Sequence, residues 1–219
     1  MNVDLRLYAI LDPTVAGGRT LADLAERIVA SATLVQLRDK QGTTRAMVEE
    51  ANALRRVLEP AGIPLLINDR VDVALAAQAD GVHIGQDDMA PADARLLLGR
   101  TAIIGLSIKS VAQAEAAPLD QLDYVAIGGV FATTSKDNTA APIGLAGLRE
   151  IVRVVRARRP DYPVCAIAGI NEANAAEIIG AGADGVSVIS ALSLAPDPGK
   201  AARDLRAAVD RALQQRGAA

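Results

Sequence analysis

Gln36-Leu37-Arg38-Asp39-Lys40 closes a strand-like segment that opens at Thr33. Side chains alternate faces in an extended strand, so Gln36, Arg38 and Lys40 share one face while Val35, Leu37 and Asp39 share the other. Two cations and an amide carried on a rigid element suit a polyanion such as a diphosphate. Ordinary solvated charges where a strand meets a loop would account for the same residues. Asp69, in Ile67-Asn68-Asp69-Arg70, and Asp88, in Gly85-Gln86-Asp87-Asp88, end consecutive strand-like runs. Neighbouring strands lie about 5 Å apart, and two carboxylates that close repel unless a cation sits between them. Mg²⁺ suits such a pair because it takes carboxylate oxygens, keeps several waters and bridges to phosphates. The competing account makes Asp69 the cap of a helix at Val71–Ala77 and Asp87 and Asp88 turn formers. With one histidine and one cysteine, the chain has no ligand set for zinc. Gly169-Ile170-Asn171 leads into a helix near Glu172, and Gly185–Ser190 runs into Ala191-Leu192-Ser193. Exposed N–H groups at helix starts bind phosphate, and glycine at 169 lets a ligand approach the backbone.

These residues need a scaffold that brings strand ends together. Short apolar runs stand at Leu5–Leu11, Thr33–Arg38, Pro64–Asn68, Gly81–Gly85, Ile103–Ile108, Tyr124–Phe131, Val164–Ile170 and Gly185–Leu192. Between them lie segments with helical spacing: Leu21–Ala30, Arg45–Leu58, Val71–Ala77, Ala92–Leu98, Val111–Ala116, Leu145–Ala157 and Ala173–Ala181, with a last helix over Gly199–Gln214. Continuous apolar strands alternating with helices indicate a parallel sheet buried on both faces. Eight such pairs predict a (β/α)₈ TIM barrel in a single domain spanning residues 1–219, with an open doubly wound sheet as the rival. In a barrel all the polar strand ends open on one face, including Gly105-Leu106-Ser107 and Ala132-Thr133-Thr134-Ser135-Lys136. The phrase Ala79-Asp80-Gly81-Val82 returns at Ala183-Asp184-Gly185-Val186 and reads as a recurring turn from helix into strand.

Composition removes several functions. The net charge is −3, aromatics make up 2% and tryptophan is absent, so there is neither a basic stripe nor a stacking platform for nucleic acid. Hydrophobic residues reach 51%, yet no apolar run approaches a membrane span. MNVDLRLYAI lacks the pattern of a signal peptide, and the single Cys165 allows no internal disulfide; both lead us to expect a cytoplasmic protein. Cys165 reads as a small buried hydrophobe. His83, between Val82 and Ile84, reads as a hydrogen-bonded structural histidine that could approach a ligand if it faced inward. Oligomeric state is not legible.

QLRDK, INDR, GVHIGQDD, IGLS, YVAIGGVFATTSK, AIAGI and GADGVSVIS together, in order and over nearly the whole chain, resemble the thiamine-phosphate synthase family. The resemblance implies a (β/α)₈ barrel that joins a hydroxymethylpyrimidine diphosphate to a thiazole phosphate, or its carboxylated form, releasing pyrophosphate with Mg²⁺ as cofactor. It implies that the stretch Gln36, Leu37, Arg38, Asp39 and Lys40, with Asn68, binds the pyrimidine diphosphate, although strand alternation turns Asp39 away. Asp69 and Asp88 would hold Mg²⁺. Ser107 and Lys136 would contact the pyrimidine substrate, and Thr133, Thr134, Ser135, Gly169, Ile189 and Ser190 would hold the thiazole phosphate. Catalysis would fall to Arg38, Lys40, Ser107 and Lys136, with small molecules as the only partners and the loop Ala132–Ile143 as a lid. The chain departs from the family pattern at Gly129 and Ala132, where prolines are usual, at Ser135 for threonine, and at Ala168 for glycine. The related thiazole tautomerases carry a histidine where this chain has Lys109. A non-catalytic sensor of thiazole or thiamine phosphate would not need Asp69, Asp88 or Lys40.

Overall fold

The computed structural model describes residues 3–133 and 141–218. Its eight strands are β1 (Leu7–Leu11), β2 (Leu34–Leu37), β3 (Leu65–Asn68), β4 (Gly81–Ile84), β5 (Ile103–Ile108), β6 (Tyr124–Ile127), β7 (Val164–Ile167) and β8 (Gly185–Val188). Each pairs in parallel with the next, and β8 returns to β1 through Leu7 opposite Val186, so the sheet is a closed barrel and not an open one. The helices are α1 (Leu21–Ile28), α2 (Thr44–Leu58), α3 (Val71–Ala77), α4 (Pro91–Leu98), α5 (Val111–Ala116), α6 (Gly144–Arg158), α7 (Glu172–Gly180), α8 (Ser190–Ser193) and α9 (Pro198–Gly217). Among the described residues, no helix is long and apolar enough to cross a membrane.

Strand parity divides the core in two. Val35 and Leu37, Ile104, Leu106 and Ile108, and Val125 and Ile127 face outward and pack with the helix layer. Tyr8 and Ile10, Leu34, Leu66, Tyr124, Ala126 and Cys165 fill the barrel interior. The parity follows from the two-residue repeat of an extended chain, and it also sorts the polar residues, because Gln36 and Ser107 take the inner parity of their strands.

The recurring Ala-Asp-Gly-Val phrase proves to be a fastening at the other end of the barrel. Asp80 Oδ2 accepts the Leu65 N–H at 2.8 Å, and Asp184 Oδ2 accepts the Val164 N–H at 3.0 Å. Asp123 does the same for the Ile104 N–H at 2.8 Å. Asp80 and Asp184 satisfy the first backbone donor of the preceding strand and Asp123 the second, each at the end where the ladder begins. Arg95 salt-bridges Asp123 at 2.7 Å, while Arg156 and Arg216 reach Asp184 at 2.7 and 2.8 Å. This is the stability face of the barrel, opposite the strand ends that carry the site.

Three strands stop three or more residues short of their apolar runs. β6 ends at Ile127 because Gly129 turns with φ +72°, and Val130 beyond it is buried without being in the sheet. β7 ends at Ile167 before two positive-φ residues, Ala168 at +98° and Gly169 at +65°. β8 ends at Val188, and the run that follows buries Ile189 and Leu192 through the short α8. Val130, Ile170, Ile189 and Leu192 are buried beyond the strand ends, because turns and helical turns bury apolar residues as well as strands do.

Candidate active site

A cavity of about 880 Å³ opens at the carboxyl ends of the strands. β2 supplies Arg38 and Lys40 to its wall, β3 supplies Asn68 and Asp69, and β4 supplies His83 and, beyond it, Gln86, Asp87 and Asp88. Ser107 and Lys109 come from the end of β5, Ala132 and Thr133 from the segment after β6, Gly169 from the end of β7, and Ile189 and Ser190 from the end of β8. Thr134, Ser135 and Lys136, and with them most of the expected lid, lie outside the described residues.

Not all of the QLRDK stretch meets the cavity. Leu37 is fully buried against the helix layer, the consequence of its outward parity, and is no part of the wall. Asp39 turns back on the chain, where its Oδ1 accepts the N–H groups of Gln41 at 2.9 Å and Gly42 at 2.8 Å. It shapes the loop after β2 and does not line the cavity. Gln36 points inward but sits beneath the cavity at 1% exposure, its Nε2 donating to the Tyr8 hydroxyl. Its Oε1 is buried without a hydrogen-bond partner, an uncommon state for an amide oxygen.

Arg38 is held by a residue that local sequence did not reveal. Asp12, just beyond β1, is 1% exposed and forms an ion pair with the Arg38 guanidinium through Oδ2. Its Oδ1 accepts the Thr14 N–H at 2.9 Å and the Thr14 hydroxyl at 2.6 Å. A buried carboxylate with both oxygens occupied fixes the guanidinium in place. Asp12 and Arg38 are 26 positions apart, and only the closed barrel brings them together.

Lys40 pairs with Asp69. Burial pushes the Asp69 carboxyl above the usual carboxylate range; the adjacent Asp88 adds to the rise and Lys40 opposes it. The Asp69 backbone is left-handed at φ +62°, and the following helix is capped at Arg70 without help from the Asp69 side chain. Its strained backbone aims Asp69 into the cavity, not at the helix. Asp88 Oδ2 accepts the Gly85 N–H at 2.7 Å and so closes the turn after β4. It is both a turn former and a neighbour of Asp69.

The floor is a hydrogen-bonded chain. Ser107 Oγ lies 2.8 Å from His83 Nε2, His83 Nδ1 lies 2.9 Å from the Tyr124 hydroxyl, and Tyr124 donates to Tyr8 at 2.9 Å. The two ring nitrogens of His83 thus bridge Tyr124 and Ser107, and in the neutral imidazole one of them donates and the other accepts. Ser107 is held at the cavity wall by this contact. His83 is therefore a hydrogen-bonded histidine, 7% exposed, and also part of the cavity wall. Gly105 makes the arrangement possible, since a β-carbon there would fall within the Tyr124 ring.

On the opposite side of the mouth, Gly169 allows β7 to meet the segment after β6. A β-carbon at 169 would stand 2.5 Å from the Ala132 carbonyl oxygen. Ala168, the departure at this position, adopts φ +98°, a conformation that a side chain disfavours.

A closed parallel barrel with cations, adjacent carboxylates, a hydroxyl and a glycine-bearing loop on the rim at its strand ends has the architecture of a barrel enzyme with a polar, cation-lined mouth. The family model described as thiamine monophosphate synthase matches residues 7–192. The chain is 48% identical to the thiamine-phosphate synthase of Agrobacterium fabrum over 98% of both chains. It is 50% identical to that of Chloroflexus aurantiacus over 94% of both. The solved thiamine phosphate pyrophosphorylase from Pyrococcus furiosus superposes with a TM-score of 0.84 at 38% identity, covering 97% of this chain and 98% of that one. A 3-hexulose-6-phosphate synthase superposes at 0.62 with 16% identity, a likeness of fold alone. This chain belongs to the thiamine-phosphate synthase family.

Proposed function

We propose that the chain condenses the diphosphate ester of a hydroxymethylpyrimidine with a thiazole phosphate to give thiamine phosphate and pyrophosphate. The observation that carries this reading is the meeting of Arg38, Lys40, Asp69 and Asp88, from three successive strands, on one cavity wall. The carbon–oxygen bond between the pyrimidine methylene and the diphosphate breaks, and the thiazole nitrogen forms the new bond to that carbon. An electron-rich pyrimidine stabilises positive charge at the methylene, so the protein's main task is to accommodate the departing negative charge. Arg38, fixed by Asp12, and Lys40 meet that charge from β2. Asn68 adds an amide at the end of β3, and Ser107 presents a hydroxyl from β5. Gln36, beneath the floor, donates to the Tyr8 hydroxyl and acts on the site through the Tyr8–Tyr124–His83 chain. Gly169, Ile189 and Ser190 stand on the far side, where backbone donors suit the phosphate of the second substrate. Thr133 lines the same wall, and Thr134, Ser135 and Lys136 continue the chain from it.

The residues fit Mg²⁺. Two adjacent carboxylates, one of them half-buried and pushed toward protonation, are an arrangement that a divalent cation relieves. Asp69 and Asp88 would hold it, and when bound it would neutralise charge on the diphosphate.

The test is to incubate the purified protein with both substrates, with and without Mg²⁺, and assay thiamine phosphate and pyrophosphate together. Equal yields of both products, dependent on Mg²⁺, are expected. Binding without either product would indicate a sensor, and isomerisation of the thiazole without the pyrimidine would indicate a tautomerase; both would overturn the proposal.

A further inference from the structure

We infer that Lys109 is an anion-binding residue of this cavity and that it grips the diphosphate from the β5 side. The inference rests on the proposed condensation and adds a residue to its leaving-group site. Three cations line the cavity among the described residues: Arg38, Lys40 and Lys109. Arg38 is neutralised by the buried Asp12, and Lys40 by Asp69. Lys109 makes no ion pair among the described residues, so its charge can meet a ligand without giving up a protein partner.

Its position is built, not incidental. Gly105, Ser107 and Lys109 share the inner parity of β5 and its extension, whereas Ile104, Leu106 and Ile108 are buried on the outer side. Gly105 admits the Tyr124 ring, Ser107 bonds His83, and Lys109 reaches the rim. The Lys109 backbone is held where the strand ends, its N–H donating to Gln113 Oε1 at 2.6 Å. Gln113 is itself fixed by its own N–H to the Ser110 hydroxyl at 3.2 Å. The lysine stem lies over Gly128, where a β-carbon would meet Lys109 Cγ and Cε at 3.4 Å. A bare glycine thus gives the methylenes a seat, which favours an ammonium extended across the rim. On the other side, Gln86 Nε2 donates to the Ser107 carbonyl at 2.7 Å and ties the β4 rim, with Asp88, to this strand. β5 neighbours β4 in the sheet and is separated from β8 by β6 and β7. The stem leans over Gly128 toward β6, so what assigns Lys109 to the diphosphate is the adjacency of β5 to β4, whose end carries Asp88, and the Gln86 tie between the two.

The experiment is calorimetric titration of inorganic pyrophosphate with Mg²⁺ into the wild-type chain, Lys109→Ala, Lys109→Gln and Lys109→Arg, with inorganic phosphate as the comparison. A charge-assisted contact of this kind corresponds to about a tenfold change in affinity. The alanine and glutamine variants are expected to bind pyrophosphate about tenfold more weakly, and the arginine variant within about threefold of wild type. In steady state, KM for the pyrimidine diphosphate should rise about tenfold while that for the thiazole phosphate stays within about twofold. Lys109 is exposed, so the melting temperature should not move, which separates lost contact from lost fold. Unchanged pyrophosphate affinity in both neutral variants, or a KM change falling on the thiazole phosphate, overturns the inference while leaving the condensation intact. A wild-type chain that makes no thiamine phosphate overturns the parent reading instead.

Discussion

Asp88→Asn separates a metal-holding carboxylate from a turn former, because asparagine keeps one role and loses the other. Its amide oxygen can still accept the Gly85 N–H that Asp88 takes at 2.7 Å, so the turn after β4 should survive. What disappears is the negative charge beside Asp69, which raises the Asp69 carboxyl. Two bare charges 4 Å apart would repel by about 4 kcal/mol at an effective dielectric near 20. Lys40 already neutralises Asp69, and its side chain is 52% exposed, so solvent screens much of the remainder. We take the relief as about 1 kcal/mol or less, worth roughly 2–4 °C in a chain of this size. Without metal the variant should therefore melt slightly higher than wild type. With Mg²⁺ the order should reverse, since losing one of two anionic ligands weakens the metal by about tenfold or more. Thermal melts across a Mg²⁺ series, repeated with pyrophosphate present, read both effects independently of turnover. A variant stabilised by Mg²⁺ as much as wild type would refute the pairing of Asp69 and Asp88 at a metal.

Asp12→Asn should cost about 1.5–3 kcal/mol by weakening a buried charge-assisted bond, lower the melting temperature by roughly 4–10 °C and raise KM for the pyrimidine diphosphate; an unaltered melt and KM would remove Asp12 as the anchor of Arg38. Gly105→Ala should destabilise by about 1–3 kcal/mol, because Tyr124 is fully buried and cannot yield, and thermal denaturation checks it. Ala168→Gly should relieve about 1–2 kcal/mol of positive-φ strain against a smaller unfolded-state cost, leaving a melting temperature about 1–3 °C higher. Lys136→Ala, placed only by its position after Thr133–Ser135, should slow single-turnover chemistry by about two orders of magnitude.

The barrel was legible because its strands carry near-continuous apolar runs and its helices do not; α3 and α5 begin and end where the periodicity put them. Strand alternation also ordered the β2 residues correctly, with Arg38 and Lys40 on the wall and Leu37 in the outer core. It did not show that Gln36 lies a layer below the cavity, since depth depends on register against β1, where Gln36 faces Ile10. Asp12 was illegible for a different reason, because its partner is distant in sequence and nothing near Pro13 hints at a cation. Tyr8 and Tyr124 stand inside apolar runs with nothing local to mark them, and only the closed barrel joins their hydroxyls in a line with His83 and Ser107. In the sequence Lys109 stands out only as the position where the tautomerases carry a histidine; that it lines the cavity without an ion pair among the described residues follows from the fold.

A crystal structure with Mg²⁺ and inorganic pyrophosphate bound tests the shared rim most directly. The account predicts the metal between Asp69 and Asp88, with the pyrophosphate against it and reaching Arg38 and Lys40. Pyrophosphate settled only among Gly169, Ile189 and Ser190, or metal bound away from both carboxylates, would contradict it.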